Sequence, residues 1–239
     1  MLDSRLSLVF DLYPACKLGA DIGTDHGYLP CALLEAGKAD HMILTDISAS
    51  ALSNATAETV RRHLSSRVTL LTGDGLSPIT EKCEVISITG MGGRTIRQIL
   101  LNGLDKLCGA TLILSAHTDL PLLRRTLGEI GYTLRSEKIC KAAGRFYLVL
   151  LATPGVERLT DQEIRLGSLL FTSEDACLPQ YLAHRKQVLS KKLQGILSVC
   201  TDEQNPETNE LQSDIAYLDR FLSSGQPSSF IANKGDMEQ

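Results

Sequence analysis

From Lys17 to about Ala152, short apolar runs alternate with amphipathic stretches of helical length. The apolar runs, rich in β-branched and aliphatic residues, lie at 18–22, 41–47, 67–73, 83–90, 110–115, 132–139 and 145–153. The amphipathic stretches lie at 28–37, 48–64, 93–106 and 119–131, and the segment 74–82 is expected to form a loop or short turn. Alternation of strands and helices at this spacing predicts βαβ units, and therefore a parallel sheet with both faces buried.

The last two apolar runs, at 132–139 and 145–153, break this alternation. They are joined only by the segment CKAAG, which is too short for a crossover helix. We therefore expect the two runs to pair as an antiparallel hairpin. Five parallel strands followed by such a hairpin resemble the Rossmann-like sheet of class I methyltransferases, so the sequence predicts an α/β fold of this type.

After Pro154 and Gly155 the apolar residues are spaced three and four apart, which is typical of helices with one apolar face. The two predicted seams are Leu178, Leu182, Leu189, Leu193, Ile196 and Cys200, then Leu211, Ile215, Leu218 and Leu222. A turn at 201–209, with Pro206 near the start of the second helix, predicts an antiparallel coiled-coil hairpin. We expect three parts: a sheet domain at 1–155, a helical domain at 156–224 and a flexible tail at 225–239.

The composition is that of an ordinary soluble globular protein. At 239 residues, with 43% hydrophobic and 22% charged residues, the chain can bury one sizeable core. No apolar run reaches eighteen residues, and Asp3 and Arg5 interrupt the N-terminal stretch. We therefore expect no membrane span, no signal peptide and a cytoplasmic location. The seven cysteines stand singly, without a CxxC pair, which favours reduced thiols and predicts no metal site.

The net charge of −4 is spread unevenly along the chain. Residues 156–239 carry 8 Lys and Arg against 13 Asp and Glu, so a partner such as RNA would have to be contacted by local basic patches. The segment HRKQVLSKK offers one patch, and arginines near the predicted sheet offer others. The predicted phosphate contacts are Arg185, Lys186, Lys191 and Lys192, together with Arg94, Arg97, Arg124 and Arg125. The alternative for the helical patch is a solvated coiled-coil face.

The segment after the first apolar run is the main candidate for a ligand site. In an open parallel sheet, ligands bind outside the carboxyl ends of the strands, and this end carries the sequence DIGTDHGY. Gly23 and Gly27 would let backbone approach a ligand closely. A dinucleotide site would need GxGxxG here, yet Asp21 and Asp25 would repel its pyrophosphate. The two acids favour a cationic ligand, and S-adenosyl-L-methionine carries both an ammonium and a sulfonium group.

The next three strand ends carry further candidates. Asp46, followed by Ile47, could accept the ribose hydroxyls of an adenosine, and Asp74 beside Gly75 could meet its adenine. The fourth strand end places Gly90, Met91 and Gly92 where main chain could lie against a substrate base. The alternative for Asp25 or Asp46 is a plain helix N-cap.

Several motifs together resemble a known family. The segments SRLSLVFDLYP, ADIGTDHGYLP, TDIS, GDGL, ITGMGG and LRRTLGEIGYTLRSE are similar to those of the bacterial tRNA (adenine-N1)-methyltransferases, TrmK, which methylate adenine 22 of tRNA. The resemblance covers Leu2 to about Thr153, and the family also carries a C-terminal coiled coil. The chain departs from it at Gly27, where the family often has alanine, and at 115–118, where a Gln-Pro-like segment is usual.

The resemblance implies a role for each residue of these motifs. Asp21, Gly23, His26, Gly27 and Tyr28 would line the methionine end of the cofactor, Asp46 would bind the ribose, and Asp74 would bind the adenine. Residues 90–93 would face the target base. tRNA is the implied partner.

The chemistry of adenine N1 makes few demands on the protein. Its lone pair lies in the ring plane and is unprotonated at neutral pH, so attack on a sulfonium methyl needs no general base. The (D/N)PP(Y/F) clamp used for exocyclic amines is missing after the fourth run. We therefore predict that Asp25, His26 and Tyr28 act in catalysis by orienting the base or shielding the methyl group.

Three other functions remain open from the sequence. A nicotinamide-dependent oxidoreductase would share the sheet and Asp46 but lacks its glycine motif. A non-catalytic protein could bind the cofactor as a sensor while its helical part docks a partner. A methyltransferase could also act on another RNA position.

Overall fold

The structure, a computed structural model, describes residues 2–199 and 205–224. The chain divides into two compact units, Met1–Arg165 and Leu166–Gln239. This division falls later than the predicted boundary after Gly155, because the segment from 156 to 165 is held to the first unit. Arg125 pairs with Asp161 at 3.2 Å, and Arg124 Nη1 donates to the carbonyl of Ile164 at 2.9 Å.

The first unit contains a seven-stranded sheet, and every predicted apolar run forms one of its strands. The strands are β1 Cys16–Ile22, β2 Ala39–Asp46, β3 Val68–Thr72, β4 Val85–Met91, β5 Thr111–Ala116, β6 Tyr132–Ala142 and β7 Arg145–Pro154. Their order in the sheet is β3-β2-β1-β4-β5-β7-β6. The first five are parallel, and β7 runs antiparallel to both β5 and β6. The predicted Rossmann-like fold is confirmed.

The hairpin of β6 and β7 closes through a tighter turn than its sequence suggests. Strand β6 extends into the segment CKAAG as far as Ala142, which pairs with Arg145 at the start of β7, so only two residues remain in the turn. Ala143 and Gly144 both have positive φ, at 47° and 77°, as two-residue hairpin turns of type I′ require.

Helices cover the sheet on both faces. They are α1 Ser4–Leu12, α2 Tyr28–Glu35, α3 Ala49–Arg61, α4 Gly93–Asn102, α5 Leu104–Leu107 and α6 Leu120–Glu129. A further short helix, α7 Asp161–Leu166, follows β7 in the chain. The predicted helix at 93–106 is wrong in one respect, because it breaks at Gly103. A Cβ at Gly103 would lie 2.6 Å from the Leu76 side chain, so the loop at 74–82 packs directly on the break. Helix α1 begins where the Asp3 carboxylate accepts a hydrogen bond from Leu6 N at 2.7 Å.

The core lies along the parallel strands, whose residues are buried on both faces as predicted. Successive residues of a strand point to opposite faces, and both are at most 1% exposed at Ile43 and Leu44 of β2 and at Leu112 and Ile113 of β5. Burial of successive residues on both faces is what fixes these strands at the centre of the sheet.

The second unit contains α8 Leu178–Val199 and α9 Pro206–Ser224, the two helices predicted from the apolar seams. Lys186 pairs with Asp219, and Lys192 pairs with Glu207, so residue numbers rise along α8 as they fall along α9. The helices are therefore antiparallel. The predicted seam residues that are buried are Leu178, Leu182, Leu189, Leu211 and Leu218. Cys200, the first part of the predicted turn and the predicted tail at 225–239 lie outside the described residues.

Within residues 2–199 and 205–224, no helix combines the length and apolarity needed to cross a bilayer. In the same ranges, no group of three or more His, Cys, Asp or Glu side chains is arranged to hold a metal ion.

Candidate active site

The order of the strands reverses between β1 and β4, which is where an open parallel sheet presents its ligand site. A cavity of about 450 Å³ lies beside the carboxyl ends of these two strands. Seven of the predicted site residues line it: Asp21, Gly23, Asp25, His26, Gly27, Tyr28 and Gly90. The sheet topology therefore brings the first and fourth predicted strand ends into one site.

Asp21 forms the buried floor of this cavity. Thr24 Oγ1 donates to one of its carboxylate oxygens at 2.5 Å, and Ser87 Oγ donates to the other at 2.6 Å. Ser87 reaches it because it is the register partner of Asp21 across β1 and β4. Burial raises the pKa of Asp21 above its ordinary value, although the two hydroxyl donors act in the opposite direction. Two donors aimed at two oxygens suit an ionised carboxylate held in one orientation.

The turn after β1 needs both of its glycines. Gly23 and Gly27 have positive φ, at 75° and 68°. A Cβ at Gly23 would overlap the Met91 methyl group, so the first and fourth strand ends touch at this point. Gly27 is the N-cap of α2, and no side chain caps that helix. The N-cap alternative for Asp25 is therefore wrong.

The three predicted catalytic residues lie together at the rim of the cavity. His26 Nε2 is 3.3 Å from Asp25 Oδ2, and their side chains are 50% and 68% exposed. The His26 and Tyr28 rings lie 5.3 Å apart with a tilt of 30°. Tyr28 is 45% exposed although it is a large aromatic residue. An exposed pair of rings at a cavity mouth can stack with a planar ligand.

Asp46 and Ile47 lie at the end of β2, outside the lining of this cavity. The Asp46 carboxylate accepts a hydrogen bond from Ser48 N at 2.7 Å. Ser48 is the N-cap of α3 and accepts from Ala51 N, so the N-cap alternative for Asp46 is also wrong. Asp46 instead stabilises the turn before the cap. Ile47 is 74% exposed, which leaves an apolar surface next to the turn.

Asp74 and Gly75 follow β3 and also lie outside the lining of the cavity. Gly73 N donates to the carbonyl of Asp46 at 3.0 Å, which holds this loop against the end of β2. Thr45 Oγ1 donates to the carbonyl of Gly75 at 3.1 Å. The loops after β2 and β3 are thus joined to each other by hydrogen bonds, while the cavity lies beside the carboxyl ends of β1 and β4.

The glycines after β4 are required by close packing of main chain. Gly93 N donates to the carbonyl of Thr118 at 3.0 Å, and a Cβ at Gly93 would lie 2.6 Å from that oxygen. His117 N donates to the carbonyl of Met91 at 2.9 Å. Gly90 lines the cavity, whereas Met91 and Gly92 do not. Of the predicted residues Gly90, Met91 and Gly92, the cavity is therefore lined by Gly90 alone, and contact of this segment with a substrate base stays a prediction.

The predicted phosphate contacts divide into exposed and occupied side chains. Arg94 is 84% exposed and 3.8 Å from Asp119, and Arg97 is 3.6 Å from Glu129. In the second unit Lys191 is exposed and Arg185 is partly buried, while Lys186 and Lys192 pair with acids of α9.

Arg124 and Arg125 lie next to each other but in opposite environments. The expectation for Arg124 is wrong, because its side chain is 1% exposed and bonds to Glu137 at 2.6 Å. Arg125 is 53% exposed.

The residues that contribute to the site without having been predicted include Arg5, Ser87, His117 and Tyr147. Each comes from a different element or loop, and although Arg5 stands in the segment SRLSLVFDLYP, nothing in that segment marks it as a site residue. The register of β1 against β4 places Ser87, while the approach of α1 to the start of β7 places Arg5 beside Tyr147.

Comparison with known proteins gives one family and close structural similarity. A family model described as tRNA (adenine(22)-N(1))-methyltransferase, TrmK, matches residues 19–220. The tRNA (adenine(22)-N(1))-methyltransferase of Bacillus subtilis (strain 168) is 36% identical over 156 residues, which are 64% of this chain and 66% of that protein.

Two solved structures extend the similarity over nearly the whole chain. The B. subtilis m1A22 tRNA methyltransferase TrmK superposes with a TM-score of 0.82 and 28% identity, over 93% of this chain and 99% of that one. A putative tRNA (m1A22) methyltransferase of Streptococcus pneumoniae, in complex with S-adenosyl-L-methionine, gives a TM-score of 0.81 and 28% identity, over 93% and 100%.

Proposed function

The chain belongs to the tRNA (adenine(22)-N(1))-methyltransferase family, TrmK, and we propose that it methylates N1 of adenine 22 in tRNA at the cavity between β1 and β4. S-adenosyl-L-methionine is its methyl donor, as in the solved relative that contains it. The observation that carries the assignment of the site is the fixed carboxylate of Asp21 beneath a positive-φ glycine, at the reversal of the strand order. We also infer a cytoplasmic location, because the proposed tRNA substrate is found there.

The residues at this position suit a cationic cofactor. Asp21 would face the ammonium group of its amino-acid end, and the main chain at Gly23 would pass close to it. A pyrophosphate would instead meet two acids, Asp21 and Asp25, at the place where dinucleotide sites have glycines. This charge argues against the nicotinamide alternative. Asp46 would bind the ribose and Asp74 the adenine, in keeping with the family resemblance.

When bound, the cofactor supplies an electrophilic methyl group on a sulfonium. Adenine N1 carries no proton that would have to be removed. The contribution of the protein is therefore to hold the base in line with the methyl group. Such alignment can contribute about 7 to 11 kcal/mol in well-oriented systems. We assign this role to the exposed rings of His26 and Tyr28, with Asp25 orienting His26 through their 3.3 Å contact.

The contacts with tRNA are proposed from exposure and charge. Among the predicted contacts that form an ion pair, Arg94 has the most exposed side chain, and it is the second residue of α4, directly after Gly93. The ion pairs of Lys186 and Lys192 support the solvated-face alternative for those two residues. In the second unit, Lys191 and Arg185 remain the proposed phosphate contacts.

Mapping the methylated nucleotide tests the function directly. A tRNA transcript with adenine at position 22 is incubated with the protein and S-adenosyl-L-methionine, and N1-methyladenine is located by primer-extension stops. We expect a single stop at position 22 and none with a transcript carrying guanine there. A stop at another adenine would replace the proposed position, and cofactor binding without methyl transfer would favour the sensor alternative.

A further inference from the structure

One wall of the cavity is built from residues that the proposed mechanism does not use. Arg5 from α1, His117 after β5 and Tyr147 near the start of β7 meet there. The Arg5 guanidinium carbon lies 5.8 Å from the centroid of the Tyr147 ring. The His117 ring meets the same ring edge-on, at 5.8 Å and 73°. The three side chains therefore form one packed unit.

The main chain of Gly90 completes this unit. A Cβ at Gly90 would lie 3.3 Å from Arg5 Nη1, so a glycine there lets the guanidinium approach the end of β4. The positive φ of 80° at Gly90 also favours glycine. Arg5 is thus held between an aromatic ring on one side and main chain on the other, which reduces the entropy lost when it binds a ligand.

The charge of Arg5 is not neutralised by a nearby acid. Among the residues that the structure describes, no carboxylate lies within 4.0 Å of its guanidinium. Its field reaches Asp21, since Arg5 is one of the groups that oppose the rise of the Asp21 pKa caused by burial. The cavity therefore presents a fixed anion and a fixed cation to the same space.

A ligand that matches this arrangement carries an ammonium and a carboxylate close together. The α-carbon of an amino acid carries both groups, and so does the amino-acid end of S-adenosyl-L-methionine. We propose that Arg5, positioned by Tyr147 and Gly90, is the oxyanion receptor of this cavity and binds the α-carboxylate of the cofactor. This inference rests on the proposed function. The other source of an oxyanion is a phosphate of tRNA, and the experiment distinguishes the two.

The first arm compares two ligands that differ in the amino-acid end. S-adenosylhomocysteine contains it, and 5′-methylthioadenosine has the same nucleoside and thioether without it. We expect Arg5→Gln to weaken S-adenosylhomocysteine about 10- to 100-fold in calorimetric titration, as for loss of a charged hydrogen bond. The affinity for 5′-methylthioadenosine should stay within about twofold, which also shows that the variant is folded. Arg5→Lys should give an intermediate loss, because it keeps the charge but not the planar fork.

The matched control is Arg135→Gln. Arg135 is an exposed arginine of β6 whose Nε donates to Thr153 Oγ1, and it does not line the cavity. This variant should leave the affinities for both ligands unchanged.

Tyr147 is tested as a positioning residue. Tyr147→Leu removes the ring beneath the guanidinium and should weaken S-adenosylhomocysteine about 3- to 10-fold without changing 5′-methylthioadenosine, whereas Tyr147→Phe should restore the wild-type ratio of the two affinities. Equal losses for both ligands would show a merely structural role and would remove Tyr147 from the proposal.

The second arm measures tRNA binding by Arg5→Gln over a range of salt concentrations. We expect no change in the slope of log K against log salt. A slope reduced by about 1 with unchanged S-adenosylhomocysteine affinity would overturn the carboxylate assignment in favour of phosphate. Equal weakening of both small ligands, or of neither, would also overturn it. These results leave the proposed function intact, since methyl transfer at position 22 by the wild-type protein is measured separately.

Discussion

Two pairs of ionisable side chains in the first unit differ in burial, and the difference indicates which pair serves the site and which serves folding. Asp25 and His26 lie 3.3 Å apart at the cavity rim, and both side chains are at least half exposed. Arg124 and Glu137 lie 2.6 Å apart between α6 and β6, and their side chains are at most 1% exposed. The first pair can meet a ligand. The second can only hold elements together, because it is closed off from solvent.

The buried pair also carries a cost that the exposed pair does not. Arg124 Nη2 and Glu137 Oε2 are buried and have no hydrogen-bond partner among the described residues. Removing one partner of such a buried ion pair destabilises the fold strongly, because the other charge stays buried without compensation. The exposed pair is screened by water, so its loss should change the free energy of unfolding very little.

The largest expected effect is therefore on stability, from Arg124→Met. Leaving Glu137 buried without its partner should lower the free energy of unfolding by about 3 to 5 kcal/mol, measured by urea denaturation. The adjacent Arg125→Met is the matched control, since Arg125 is 53% exposed and should cost less than about 1 kcal/mol.

The double variant Arg124→Met/Glu137→Leu sharpens this test. It removes both charges and should recover most of the stability lost by the single variant. Equal instability of the single and double variants would show that packing volume, rather than the unpaired charge, determines the loss.

The next effect is on catalysis, from the exposed pair. His26→Ala and Asp25→Ala should each lower the single-turnover rate of methyl transfer about 10- to 100-fold, because the target base loses its orienting contacts. The free energy of unfolding should change by less than about 0.5 kcal/mol, since both side chains are largely exposed.

Asp105→Ala is the matched control for the exposed pair. Asp105 is also an exposed acid, 73% accessible and 3.7 Å from Lys106, but it does not line the cavity. An unchanged rate in both rim variants would remove Asp25 and His26 from the site. A loss of stability equal to that of Arg124→Met would erase the contrast between the two pairs.

The contrast also explains how far the sequence could predict this molecule. The strands were predicted because burial on both faces leaves a local trace, an unbroken apolar run such as 110–115. The turn after β1 also leaves a local trace. Its residues Asp21, Gly23 and Gly27 were predicted because their types and spacing stand within eight consecutive positions.

Residues whose role depends on distant partners were not predicted. Arg124 has the same local appearance as Arg125, and only the approach of Glu137 decides that one is buried. Arg5 and Tyr147 are 142 positions apart, and no periodicity relates them. The break at Gly103 likewise depends on Leu76, which reaches it from another loop.

A smaller effect is expected on tRNA binding, from Arg94→Gln. Arg94 is 84% exposed, and its contact with Asp119 is long, at 3.8 Å. Loss of its side chain should therefore change the free energy of unfolding very little. If it contacts a phosphate, the slope of log K against log salt should fall by about 1, with a few-fold weaker affinity at moderate salt. Filter binding at several salt concentrations measures both. Arg135→Gln is the control, and an unchanged slope for Arg94→Gln would place the tRNA elsewhere.

The smallest effect is expected for a cluster of three side chains, Glu58 with Arg61 and Arg62, whose burial lies between those of the two pairs. Glu58 is 10% exposed and binds Arg62, which is 16% exposed, and Arg61, which is 65% exposed. Hydrogen bonds from Arg61 and then Arg62 lower the pKa of Glu58 to about 2, against the opposing effect of its burial. In the unfolded chain a glutamate titrates near a pKa of about 4.3.

Because the folded pKa is the lower one, the contribution of Glu58 to stability is complete above about pH 4.3 and disappears as the pH falls through about 2. Glu58→Gln should therefore lower the free energy of unfolding by about 1 kcal/mol at pH 7, since both of its arginine partners are reached by solvent. The difference from wild type should shrink steadily between pH 4.5 and 2, measured by urea denaturation at each pH. A difference that stays constant over this range would mean that Glu58 contributes by packing, as a buried neutral side chain does, and would group it with the core rather than between the two pairs compared above.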